Sequence, residues 1–277
     1  MTKPGIIYGN AITTIAGFLY ASTATINFTL LIYTILGISL IIASACVFNN
    51  YIDRDIDKLM SRTKNRALVK NLVPKNKALS FATIIGIVGF AIILVHVNIL
   101  VFLIGLVAFV DYVVLYGFAK RKTHHGTLVG SISGAAPILA GYCAVTNHIG
   151  VTGTILFLIL VFWQMPHFYA ISIYRLKDYK SAKIPVLPVV KGIRTTKKYI
   201  ICYVVLFAIM VILLKIYSHA GYVYLAGISL LSIAWLYLGL SGFKKLSDTV
   251  WARKMFFFSL IVLLGFSFLI SINKWLA

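Results

Sequence analysis

Asn49, Asp53 and Asp57 recur at four-residue intervals in NNYIDRDIDKLMSRTKNR, residues 49 to 66, a stretch holding three of the six acidic residues of the chain. If the helix of VFNN runs on through it, about 100° of rotation per residue puts Asn50, Asp53 and Asp57 roughly 100°, 40° and 80° from Asn49, all on one face. Two carboxylates one turn apart repel each other unless a cation lies between them. Mg²⁺ takes oxygen ligands, commonly one or two carboxylates with substrate phosphates, so Asn49, Asn50, Asp53 and Asp57 are the expected metal set. Arg54, Arg62, Lys64 and Arg66 share the stretch, and guanidinium groups suit bidentate capture of phosphate oxygens. The missing metal ligands then belong to a phosphorylated substrate, and the expected chemistry is a metal-assisted reaction with Asp53, Asp57, Asn50 and Arg54 at its centre. Asp55 falls near 240° and points away, where a neighbour such as Lys58 could neutralise it. A merely solvated loop would tolerate glutamate and scattered acids, yet the chain contains no glutamate.

Two other polar clusters are placed to join this one. KRKTHHG adds Lys120 and Arg121 as diphosphate candidates. WQMPHFYAISIYRLKDYKSAKIPVLPVVKG adds Trp163, Gln164 and His167, on one helical face at i, i+1 and i+4, and then Arg175, Lys177, Asp178 and Tyr179 as candidate substrate contacts. Pro185, Pro188 and Gly192 make the far end of that cluster irregular, suiting a lid. Of six histidines, His167 is the first choice for a substrate contact. His96, His148 and His219 sit at the opposite ends of their helices, and His124 and His125 belong by default to a solvated face. Asp111, inside FVDYVVLYGF, is either functional or a buried helix contact. Tyr112 and Tyr116 read as interhelical or interfacial residues, with Tyr116 not expected in a cavity. Cys46, Cys143 and Cys202 show neither CxxC nor Cys/His spacing and are expected to be small core residues.

The elements that carry these residues follow from composition. The chain is 61% apolar and 12% charged, with a mean hydropathy of +0.97, against about 25% charged residues in soluble domains. Runs of about 20 apolar residues are needed to cross a bilayer, and nine are expected, over 7–26, 28–48, 78–97, 98–118, 127–147, 151–173, 199–217, 220–240 and 255–273. Strands of a membrane barrel alternate in polarity, whereas LLIYTILGISLIIASACVF is apolar on nearly every side. The fold class is therefore all-α, a polytopic bundle of nine transmembrane helices forming one domain over 1–277. The first run leads directly into others and does not read as a removed signal peptide. All but Lys215 and Lys274 of the 26 basic residues lie on one side of this arrangement, which places the N-terminus and the polar clusters in the cytoplasm. The same bias accounts for the net charge of +20 through anionic lipid headgroups, so no nucleic-acid partner is expected.

NNYIDRDIDKLMSRTKNR resembles the first aspartate-rich motif of the UbiA superfamily of intramembrane prenyltransferases, in which Asn, Asp and Asp recur at this spacing. WQMPHF and KDYKSAKIPVLPVVKG are similar to its heme-modifying branch, and the likeness runs from TKPGIIYGN through SGAAPILAGYCAVT to WARKMF. The resemblance implies Mg²⁺-dependent transfer of a farnesyl group from farnesyl diphosphate to a vinyl group of heme b, with addition of water, giving heme O for a terminal oxidase. It implies a bacterial inner-membrane enzyme with a cytoplasmic site. In this setting His124 and His125 become alternative contacts for a heme propionate. Many relatives carry a second aspartate pair, but here Asp178 is followed four residues later by Ala182, which leaves one shared metal site or a water-mediated role for Asp178. The competing readings are a prenyltransferase for a quinone precursor and a transporter of heme or lipid.

Overall fold

The computed structural model describes residues 2–22, 25–244 and 247–276. Residues 23–24 of the expected first span, Lys245 of the last basic loop and the Lys274 side chain lie outside them. Among the described residues there are nine long helices and no strand: α1 (Pro4–Ala21), α2 (Phe28–Ile52), α3 (Lys75–His96), α4 (Ile99–Lys122), α5 (Gly126–Thr146), α6 (Gly150–Tyr174), α7 (Gly192–Tyr217), α8 (Tyr222–Ser241) and α9 (Asp248–Ser271). Eight, α2 to α9, are long and apolar enough to cross a membrane. Helix α1 is outside that set, having 18 residues broken by Asn10, Thr13 and Thr14.

Helix ends are set by residues that satisfy orphan backbone groups. Asn27 opens α2 by accepting from the Leu30 N–H at 3.0 Å, and Asn98 opens α4 by accepting from Val101 N–H at 2.8 Å. Asn147 closes α5 in the left-handed region, φ 50°. These asparagines make the short turns on one face, leaving the long 53–74 and 175–191 connections on the other.

Helices α5 and α6 form the centre, with 67% and 72% of their apolar windows buried, against 11% for α4. Lipid provides little hydrophobic drive between helices, so close packing rests on small residues. A Cβ on Gly17 of α1 would fall 2.1 Å from the Ile138 carbonyl oxygen, and one on Gly141 of α5 would fall 2.0 Å from that of Thr14. The two backbones therefore touch, and α1 is held against α5. Helix α2 lies against α3, α7 and α9 against α6, and α8 bridges α7 and α9. This seats α1, α2, α4, α5 and α6 around one cavity.

One expectation changes, and one open alternative is resolved. Cys46 and Cys143 are buried, but Cys202 is exposed, because α7 turns that face outward from the bundle. Asp111 begins a π-helical turn, Asp111–Leu115, inside α4; its Oδ2 accepts from the Ser133 N–H of α5 at 3.1 Å, which makes it a buried helix contact.

Candidate active site

The expected unbroken helix through the acidic stretch does not occur. Helix α2 stops at Asp53, φ −88° and ψ 6°, and a short helix, Arg54–Asp57, follows. The spacing nevertheless survives, because Asp53 N–H donates to Asn49 O at 2.9 Å and Asp57 N–H to Asp53 O at 2.8 Å. Asn49, Asp53 and Asp57 are buried and line the same cavity. Asn50 is also buried but is not in the lining.

Each carboxylate meets a basic side chain, Asp53 and Asp55 from α4 and Asp57 from its own connection. Lys120 and Asp53 form an ion pair, Arg66 Nη1 stands 2.5 Å from Asp57 Oδ2, and Thr63 Oγ1 donates to the Asp57 carbonyl at 2.9 Å. Asp55 is exposed and engages Arg121, both carboxylate oxygens lying 2.7 Å from its guanidinium nitrogens. Lys58, the neighbour anticipated from sequence, is replaced because α4 brings Arg121 alongside. That pairing holds the Asp55 carboxyl down at about 2. Arg121 also donates to Ile52 O at 2.9 Å and reaches Asp53 at 3.4 Å, so it braces the turn.

One cation was not foreseen in this role. Lys3, at the entrance of α1 with φ 52°, donates to Asn49 Oδ1 at 2.9 Å and to the Tyr112 hydroxyl at 3.3 Å. Burial, reinforced by Arg66 and Lys120, pushes its ammonium down to about 8. The left-handed backbone, rare for a non-glycine, was the only local signal, and a sequence does not display it.

The cavity has a volume of about 720 Å³. Its polar end contains Lys3, Asn49, Asp53, Asp57, Arg66 and Lys120, and its walls include Ile41, Ile42, Phe109, Leu160 and Leu263. Arg62, His124, Trp163, Gln164, His167 and Tyr179 line it as well, while Arg54, Lys64, Arg121, Arg175, Lys177 and Asp178 do not. Arg54 packs over the Tyr51 ring at 4.2 Å and Arg175 over Tyr174 at 5.2 Å. Contrary to expectation, Tyr116 lines the cavity, stacked on Tyr112 at 5.7 Å with the Lys120 ammonium 5.0 Å from its ring. Gln164 donates to Ser131 O at 3.1 Å and Leu160 O at 3.0 Å, and packs where a Cβ on Gly134 would lie 2.0 Å from its Oε1.

Asp178 lies outside the cavity lining and bonds across the two long loops. Its Oδ1 accepts from the Ser61 hydroxyl at 2.7 Å and the Ser61 N–H at 3.1 Å, while Ser181 donates to Leu59 O at 3.0 Å. Beneath these bonds Met60, Ala182 and Ile184 form an apolar cluster with Ile56, Tyr179 and Val186. The two long loops are thus fastened together over the cavity mouth, and Tyr179, its hydroxyl pushed up by burial, faces inward.

The donors fit a hard divalent cation that brings its own anion. Among the described residues no three His, Cys, Asp or Glu side chains are grouped so as to hold a metal ion. Two buried carboxylates with the Asn49 amide leave positions for phosphate oxygens and water, as magnesium sites usually do. Asn49 Oδ1, the amide atom that could ligate a cation, accepts from Lys3 at 2.9 Å, while its buried Nδ2 has no hydrogen-bond partner.

The sequence matches the UbiA prenyltransferase family over residues 10–261. It is 49% identical over 274 residues to a protoheme IX farnesyltransferase of Yersinia pseudotuberculosis, covering 99% of this chain and 93% of that one. Among solved structures, it resembles one from a study of digeranylgeranylglyceryl phosphate synthase with a TM-score of 0.79 at 20% identity, covering 99% of both chains. It also resembles a UbiA homolog from Archaeoglobus fulgidus bound to GPP and Mg²⁺, with a TM-score of 0.67 at 14% identity and 96% of both chains covered.

Proposed function

Because this chain belongs to the UbiA prenyltransferase family, we propose that it transfers the farnesyl group of farnesyl diphosphate to a vinyl group of heme b, with addition of water, giving heme O and diphosphate. The observation that carries the reading is the cavity itself: buried carboxylates with Lys3, Arg66 and Lys120 at one end, and apolar walls along the rest. A prenyl diphosphate has the same polarity along its length. The identity of the acceptor rests on the high likeness to the Yersinia protein over nearly the whole chain.

Asn49, Asp53 and Asp57 would hold Mg²⁺, which when bound supplies charge stabilisation of the departing diphosphate, worth several kcal/mol. Without ligand, Lys120 and Arg66 neutralise the two carboxylates. These side chains, with Lys3 and Arg62, are placed to transfer their hydrogen bonds to phosphate oxygens. As the allylic C–O bond breaks, its electron pair leaves with the diphosphate, and the vinyl carbon attacks the allylic cation. Water captures the resulting cation on the heme side chain and releases a proton. The apolar walls and the fastened loops keep water from the allylic cation before the vinyl group does.

We further place the chain as one domain over 1–277, with this end of the bundle on the cytoplasmic side of a bacterial inner membrane, since the basic residues flank it, and with its product passing to a terminal oxidase. The test is incubation of purified protein with heme b, farnesyl diphosphate and Mg²⁺, followed by mass spectrometry of extracted heme. A hydroxyfarnesylethyl adduct is expected, and its absence from a folded sample would reject the reading.

A further inference from the structure

His167 lies on α6 in the apolar part of the cavity, 9% exposed, and its hydrogen bonding determines which ring nitrogen carries the proton. His167 Nδ1 is 2.7 Å from Ser259 Oγ of α9. The Ser259 hydroxyl donates its one hydrogen to the Phe256 carbonyl at 2.6 Å, so toward the ring it can only accept. The tautomer that completes both bonds at once has the proton on Nδ1 and an in-plane lone pair on Nε2. Among the described residues Nε2 makes no hydrogen bond, and the ring borders the cavity. Its orientation is fixed on several sides: Trp163 stacks on it at 4.9 Å, Phe256 packs at 4.9 Å and Phe168 meets it edge-on at 5.1 Å. The Trp163 indole N–H donates to the Ser259 carbonyl at 2.7 Å, which ties the same serine into the frame.

A histidine whose second nitrogen is anchored in this way is how proteins orient an imidazole toward a metal. The alternative use of the lone pair, as a base, would produce an imidazolium with no carboxylate in hydrogen-bond contact. On the reading that heme b is the acceptor, we propose that Nε2 of His167 is an axial ligand of the heme iron, with Ser259 as the residue that fixes its tautomer. Ligation there would hold the iron at the α6 wall of the cavity that also contains the buried carboxylates. Axial imidazole is a familiar device for holding heme; here it would hold a substrate.

The experiment uses the full chain in lipid nanodiscs, with Trp fluorescence quenching to report heme binding and resonance Raman of the ferrous complex to report an iron–histidine bond. Wild-type protein is expected to quench, to show the iron–histidine stretch, and to bind heme at least about tenfold more tightly than metal-free protoporphyrin IX. His167→Ala should lose the stretch and bring the two affinities together, and added imidazole should restore ligation. Ser259→Ala should still bind heme but with a shifted stretch and about tenfold weaker binding. Heme binding without an iron–histidine stretch in wild type, or a stretch that persists in His167→Ala, would overturn the inference while leaving the acceptor reading intact. Failure of wild type to bind heme at all would reject both. The wild-type preference for heme over its metal-free analogue keeps the test decisive even if His167→Ala does not fold.

Discussion

Replacing the three clustered acids one at a time separates their roles. Asp53 and Asp57 side chains are each 5% exposed, whereas Asp55 is 64% exposed. Asparagine preserves volume, so Asp53→Asn and Asp57→Asn should insert and fold while losing the charge that a metal–diphosphate complex requires. Removing a preorganised electrostatic contact to a leaving group typically costs about 3–4 kcal/mol, a fall of about 10²- to 10³-fold in turnover. Asp55→Asn removes only an exposed ion pair with Arg121, worth about 1 kcal/mol or less, so its loss should stay within about fivefold. The assay is single-turnover product formation from labelled farnesyl diphosphate in nanodiscs at saturating Mg²⁺, with monodispersity checked for each variant. Equal losses in all three, or the largest loss in Asp55→Asn, would refute the assignment of the buried pair.

Other perturbations follow from individual contacts. Lys3→Met should raise KM for farnesyl diphosphate about tenfold, the effect expected for a charge-assisted contact, while KM for heme stays unchanged; Lys3→Arg should recover most of it. Asp178→Ala should unfasten the loops, seen as faster amide exchange over 58–64 and 176–184, with folding of the helices preserved. Gly134→Ala should lower the midpoint of thermal unfolding, since overpacking costs about 1–3 kcal/mol, and the added Gln164→Ala should relieve part of the loss. Chelation of divalent cations should abolish turnover, and Mg²⁺ should restore it.

The periodic part of the fold was legible because apolar run length is a one-dimensional quantity; the eight spans overlap the expected runs, with α7 and α9 beginning seven residues earlier than expected because their first turns are polar. Asn49, Asp53 and Asp57 were legible because i→i+4 hydrogen bonds keep their spacing even where α2 breaks. What escaped depends on partners distant in sequence. Ser61 and Asp178 are 117 residues apart and Asp55 and Arg121 are 66 apart, so no local pattern could pair them. Lys3 read as one charge among many until α1 was seen packed beside α5. Tyr116 reads as interhelical or interfacial because tyrosine is common at membrane boundaries, yet it lines the cavity. Whether Asp178 or Arg175 touched substrate was open in the sequence; Asp178 is occupied with Ser61 and Arg175 with the Tyr174 ring.

The central claim is that one rim of the bundle grips a divalent cation together with a diphosphate. Mn²⁺ substituted for Mg²⁺ can be followed by electron paramagnetic resonance in the presence of a non-ionising thio analogue of farnesyl diphosphate. Bound Mn²⁺ with resolved phosphorus couplings is expected in wild type, lost in Asp53→Asn and Asp57→Asn and retained in Asp55→Asn. Absence of bound Mn²⁺ at saturating analogue, or binding that survives removal of both buried carboxylates, would contradict the account.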